Sequence, residues 1–368
     1  MKTLFNKKRF YAAALFFINS LVVPASADAQ PADSIGRLNI GLAYPISTNG
    51  REAAQYTNVF SFNVLTGVSK EEKAFTFAGI SNIIRDKAAG LQFAGISNHI
   101  RTSSRGVLFA GISNLSGTKT EGLQFAGILN HADTIRGIQF GGLLNHAKSV
   151  EGIQFAGLSN VVKGDIKGIQ FAGLLNKAKD IKGGQFAGLV NKAGKVKGFQ
   201  FAGLVNIADS SDTPIGLINI IRNGEKSIGL SFDEIQSSVL SFRSGGRVLY
   251  GILGIGYNWK ADKDNLLVAE AGFGAHLSLS PAFRINTELV SSYLEDWKEG
   301  EYFKNSIRVL PALKFSGLEV FAGPSFNFSS TDTEYGKKLV KNDVWNDTNG
   351  NQLHQLFVGY TAGIQLHL

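Results

Sequence analysis

The chain has 368 residues, no cysteine, 43 glycines, 27 phenylalanines and only 7 prolines, with a formal net charge of +8. The missing cysteine excludes a disulfide framework, thiolate chemistry and a lipidated N-terminal Cys, and the Gly- and Phe-rich composition is that of a β protein with close backbone approaches. The charge is weak ground for a nucleic-acid partner: without residues 1–27, 33 Lys and Arg face 29 Asp and Glu, and the net charge falls to about +4.

Residues 1–27 read as a secretory signal. Lys2, Lys7, Lys8 and Arg9 form the positive head, residues 10–23 the apolar stretch, and Ala25-Ser26-Ala27 a small-residue cleavage site. The apolar stretch is too short for a membrane-spanning helix, and no later one is longer. In residues 28–73, two strand-like runs at 38–46 and 59–68 flank a loop at 47–57. Their pattern fits either two additional barrel strands or a cap on the array that follows.

That array, residues 74–225, writes one phrase nine times, as in Gly168-Ile169-Gln170-Phe171-Ala172-Gly173-Leu174-Leu175-Asn176. Its Phe recurs as Phe77, Phe93, Phe109, Phe125, Phe140, Phe155, Phe171, Phe186 and Phe201, and its Asn as Asn82, Asn98, Asn114, Asn130, Asn145, Asn160, Asn176, Asn191 and Asn206. A fixed period of 15 or 16 residues means one small unit repeated, not an enzyme core. Two architectures accommodate it: a β-solenoid with one coil per repeat, or a single barrel of about 20 strands.

The copies favour the solenoid. Counting from the Phe as zero, position +3 is always Ile or Leu, and position −2 is apolar except at Gly184. The apolar spacing of two and then three marks Ala-Gly as a bend. Position +4 would face lipid in a barrel, yet it is Ser at 81, 97, 113 and 159. Stacked coils place like over like, so the Asn can form a hydrogen-bonded ladder. The expected interior is the Phe with the aliphatics at −2 and +3, in a rod of roughly 43 Å.

The phrase, closed by Pro214-Ile215-Gly216-Leu217-Ile218-Asn219 and followed by a β-rich end, resembles the bacterial surface-repeat proteins of Gram-negative outer membranes. The resemblance covers roughly residues 74–225 and implies an envelope location without implying a chemistry.

Residues 226–368 change character. Strands are expected at 227–232, 238–243, 247–259, 266–280, 284–294, 306–315, 318–328 and 356–368, separated by alternating long and short connections. An even strand number with that alternation reads as an outer-membrane β-barrel of eight strands, or ten with the N-terminal pair. Residues 267–279 put Leu, Ala and Phe on one face against Glu270, His276 and Ser278 on the other. The last strand resembles the C-terminal assembly signal of outer-membrane proteins, departing from it in ending with Leu368.

The candidate chemistry is sparse. His99, His131 and His146 follow the motif Asn, and the last two fall in adjacent coils, near enough to share a metal; without a carboxylate they read as surface residues. Lys163, Lys167, Lys177, Lys179, Lys182, Lys192, Lys195 and Lys197 form a basic stripe, suited either to anionic surface polysaccharide or to a solvated edge. His276, Ser278 and Glu288 share the expected lumen and resemble the His-x-Ser and acidic partner of lipid A deacylases, although that family's flanking residues are absent. Asp347-Thr348-Asn349-Gly350-Asn351 lacks the spacing of a calcium loop. Together these features predict an exported, all-β, non-enzymatic outer-membrane protein without cofactor or metal. An outer-membrane pore is the alternative, and a lipid A-modifying hydrolase the third reading.

Overall fold

The computed structural model describes residues 35–260, 266–295 and 300–368; the expected signal segment lies outside them. Residues 35–221 form a parallel β-solenoid of about eleven turns, and residues 226–367 a closed eight-stranded antiparallel barrel. Among the described residues no helix is long and apolar enough to cross a membrane.

A solenoid coil consists of a long strand, a bend and a short strand, such as Ile166–Ala172 and Leu175–Lys177. Equivalent residues stack in register: Phe155 pairs with Phe171, and Phe171 with Phe186. At roughly 4.8 Å per rung, eleven turns make a rod of about 50 Å. The single wide barrel is therefore ruled out, and the bend falls where Ala-Gly places it. The N-terminal strands are neither barrel strands nor a separate cap. Ile35–Ala43 pairs in parallel with Thr57–Asn63, which pairs in turn with Glu71–Ala78, so they are the first coils of the rod. What caps the first coil is the segment between them, through strand Ile46–Ser47 and the 3-10 turn Gly50–Gln55 with its buried Ala53.

Two glycine columns let the coils approach. At position −3, Gly168 has φ +140°, and a Cβ there would collide with the carbonyl of Gly152 one coil below. At position +2, a Cβ on Gly173 would meet the Gly157 carbonyl in the same way.

The interior is not the one expected from hydrophobicity. The Gln at −1, the Asn at +5 and the small or aliphatic residues at −5 and +7 point inward, with Ile135, Val150, Ile166, Ile181 and Val196 forming one column of the core. The Phe and the +3 aliphatics point outward: Leu174 and Phe201 are each 45% exposed. Strand alternation explains the inversion. Gln at −1 and Ala at +1 share a face, so once the Gln turns in, the Phe between them must turn out.

The barrel strands run Lys226–Asp233, Ser237–Gly245, Leu249–Asn258, Leu266–Ser278, Phe283–Glu295, Tyr302–Phe315, Leu318–Thr331 and Gln352–His367, and the last closes on the first. Eight strands form the closed wall; the ten-stranded alternative fails because the N-terminal strands belong to the rod. The long connection 332–351 holds a short helical turn at Gly336–Leu339 and a strand, Trp345–Asn349, that hairpins back through Gly350.

Candidate functional site: an apolar edge and a charged lumen

The Asn column is a continuous ladder. Each side-chain Nδ2 donates to the Oδ1 of the Asn one coil on, at 2.8–3.1 Å from Asn82 through to Asn219. The same nitrogen donates to a main-chain carbonyl at the next bend, as Asn160 does to Phe171 O at 2.7 Å. A second ladder runs in the opposite sense through the Gln column. Gln139 donates to Gln124 and Gln154 to Gln139, both at 2.6 Å, and the series continues to Gln200. Sequence reasoning found the Asn ladder and missed that of Gln, although Gln precedes the Phe in seven of the nine copies. Amides stacked in this way satisfy each other, so a narrow interior can be polar.

Outside, the Phe rings form their own stack. From Phe93 to Phe186 successive centroids lie 4.8–5.0 Å apart with nearly parallel planes. Together with the Ala-Gly segments of the bends they line an open groove of about 1020 Å³ extending from Ala94 to Phe201. The +3 aliphatics carry the apolar surface around the bend: Ile96, Ile112, Leu158, Leu189 and Leu204 are all exposed. One corner of the rod is thus greasy along its length, a feature that soluble surfaces rarely carry without a partner.

The flanks of that edge and the opposite corner are polar, and they hold the predicted basic residues in short columns instead of one stripe. Lys167, Lys182 and Lys197 stack at position −4, and Lys177 and Lys192 at position +6. Lys163 and Lys179 lie at the second turn of the coil, and the Lys195 amide donates to Asp180 Oδ1 at 2.8 Å. In the coils nearest the barrel the −4 and +6 columns border the apolar edge on its two sides.

His131 and His146 are brought together as their spacing predicts, stacked 4.9 Å apart with their Nδ1 atoms at 2.8 Å. Burial lowers the pKa of both, and the basic Lys163 nearby acts in the same direction. His99 lies elsewhere in that column, within hydrogen-bond distance of Ser97, its pKa also lowered by burial. Among the described residues no group of three or more His, Cys, Asp or Glu is arranged to hold a metal.

The barrel lumen is filled by charge. Arg243 Nε donates to Glu288 at 2.9 Å, and Arg308 pairs with Glu270 at 2.7 Å. Arg284 joins Glu225 at 2.7 Å to Glu319 at 2.6 Å, and Lys304 reaches Asp233 at 2.6 Å. Each of these pairs has at least one fully buried member. The sequence carried the signal in Arg and Glu at alternate positions of strands otherwise apolar on one face. The outer wall is the reverse, with Ile255, Leu277, Leu289, Phe326 and Val358 more than half exposed.

This network claims two of the three candidate catalytic residues. Glu288 is bonded to Arg243 and to the Tyr250 hydroxyl at 3.0 Å. His276 shares a 2.8 Å hydrogen bond with Asn286 and stacks on Tyr250. Ser278, at the strand end, is exposed. The arrangement differs from a Ser-His-acid relay, because the acid is tied to Arg243, the His hydrogen-bonds Asn286 and the Ser is exposed at the strand end. The 347–351 segment closes a hairpin whose two loop residues are Gly350 and Asn351, and Gly350 at φ +62°, in the first loop position, is the sequence signal.

The rod docks on the barrel through its last coil, Ser210–Ile215 and Ile218–Ile221. Asn219 donates from its main-chain N to Ser244 Oγ and from its side chain to Ser244 O, both at 2.9 Å, so the Asn ladder ends on the barrel. Ser244 and Gly251 are register partners on the outward face of their strands, and a Cβ at Gly251 would collide with the carbonyls of Gly216 and Leu217.

No protein-family model matches the sequence, and no curated protein matches it. A solved structure described as "De novo design of transmembrane beta-barrels" shares 13% identity over 39% of this chain and 93% of its own, with a TM-score of 0.23.

Proposed function

We propose that this is an outer-membrane protein of the surface-repeat kind, whose barrel anchors the solenoid at the periplasmic rim in a structural or interaction role without catalysis. The observation that carries this reading is the pairing of an apolar outer wall with a lumen closed by ion pairs. A wall of that kind suits lipid, and a lumen crossed by the buried pairs Arg243–Glu288, Arg308–Glu270 and Arg284–Glu319 suits a plugged barrel better than an open channel. The rod's side follows from loop length. The last coil joins the barrel at the rim whose three connections, 246–248, 279–282 and 316–317, are at most four residues long. In bacterial outer-membrane barrels the short turns are periplasmic. Planar-bilayer recording tests the anchor against the pore: the protein is expected to insert without steady ion conductance, and a stable open-channel current would overturn the reading.

A further inference from the structure

We infer that the Phe–Leu edge of the rod is a membrane-inserting surface, by which the solenoid lies along the bilayer beside its barrel with that edge in the hydrocarbon of the adjacent leaflet. The inference rests on the barrel being membrane-embedded and adds where the rod goes. Three observations carry it.

The first is the direction in which the rod leaves. Its last coil covers Ser244 and Gly251, which point out through the barrel wall, not the open end of the lumen. A rod stacked on the side wall extends sideways, along the membrane plane.

The second is the rotation of that coil. Its bend, Gly216–Leu217, packs against Gly251 inside the strand, while Pro214 lies by Gly246 at the rim turn. The chain beyond Ile221 returns to the same rim, where Gly224 packs on the Gly245 carbonyl. The apolar corner of the coils therefore points up the wall, toward Leu253 and Ile255, and the charged corner points away. Because the coils stack in register, the whole edge inherits this orientation.

The third is charge. The lysine columns Lys167–Lys182–Lys197 and Lys177–Lys192 border the apolar edge in the coils next to the barrel. Such a border suits anionic phospholipid headgroups flanking a buried apolar strip. A protein partner for the edge would not need its alignment with the barrel wall.

The cysteine-free chain makes the test direct. Single variants Leu174→Cys on the edge, Lys179→Cys on the charged corner and Leu289→Cys on the barrel wall each carry a bimane label. The full-length protein is reconstituted in phosphatidylethanolamine–phosphatidylglycerol vesicles containing doxyl-labelled lipid. The labels at 174 and 289 are expected to lose most of their fluorescence and the label at 179 to keep it. Quenching at 289 without quenching at 174 overturns the edge and leaves the barrel in place; equal quenching at 174 and 179 also overturns it. No quenching at 289 removes the embedded barrel itself. Leu158→Cys, one coil away in the same column, replaces Leu174→Cys if that variant does not fold.

Discussion

At the scale of single residues, the fold reverses the usual assignment of polar and apolar side chains. Asn160 is fully buried, accepts from Asn145 and donates to Asn176 and to the Phe171 carbonyl. Two positions earlier, Leu158 is 41% exposed. Asn160→Leu therefore orphans polar groups on both neighbouring coils, at about 1–3 kcal/mol each. Leu158→Ala is expected to cost less than about 1 kcal/mol, well below the roughly 2–5 kcal/mol of a buried Leu. Denaturant unfolding of the two variants in detergent checks the order; a costlier Leu158→Ala would restore the aliphatic interior. The His pair gives a second prediction. Because burial holds both imidazoles below their ordinary value of 6.5, the folded state binds fewer protons than the unfolded chain. Their contribution is present above pH 6.5 and is lost as pH falls from there through the lowered values. His146→Val, which copies the Val161 that occupies this column in the next coil, should flatten the stability profile between neutral and mildly acid pH. A profile as steep as the parent's would assign the acid sensitivity to other groups.

At the scale of elements, the coil and the barrel strand announced themselves through different signals. The bend at Ala-Gly, the Asn ladder and the eight barrel strands were legible, because each leaves a positional constraint in the sequence that hydrophobicity does not blur. The Phe misled, because a large apolar side chain repeated nine times suggests a core until strand parity is followed from Gln170 through Phe171 to Ala172. The ion-pair lumen escaped notice because charge on a strand reads as exposure, whereas a closed barrel converts alternate positions into a buried cluster. The junction was invisible: nothing in the sequence ties Asn219 to Ser244, 25 residues on. It is also the easiest contact to break. Gly251→Leu puts a side chain where the Gly216 and Leu217 carbonyls lie and should detach the last coil while leaving the barrel closed. Limited proteolysis is then expected to cut near Asn223–Glu225, where the parent resists; an unchanged digest would mean that the rod is held otherwise.

At the scale of the whole molecule, two β architectures with polar groups in their interiors share one chain. The barrel buries charge and shows grease all round, while the rod buries amides and shows grease along one corner. Both suit the bilayer setting proposed above, in which the barrel crosses the membrane and the rod's apolar corner lies level with the barrel wall. The side of the membrane is the claim on which the rest depends, and accessibility in intact cells measures it most directly. A membrane-impermeant maleimide should label Thr348→Cys in the long-loop hairpin of intact cells. It should reach Lys179→Cys on the rod only after the outer membrane is permeabilised. Labelling of Lys179→Cys in intact cells would place the rod outside and contradict the account.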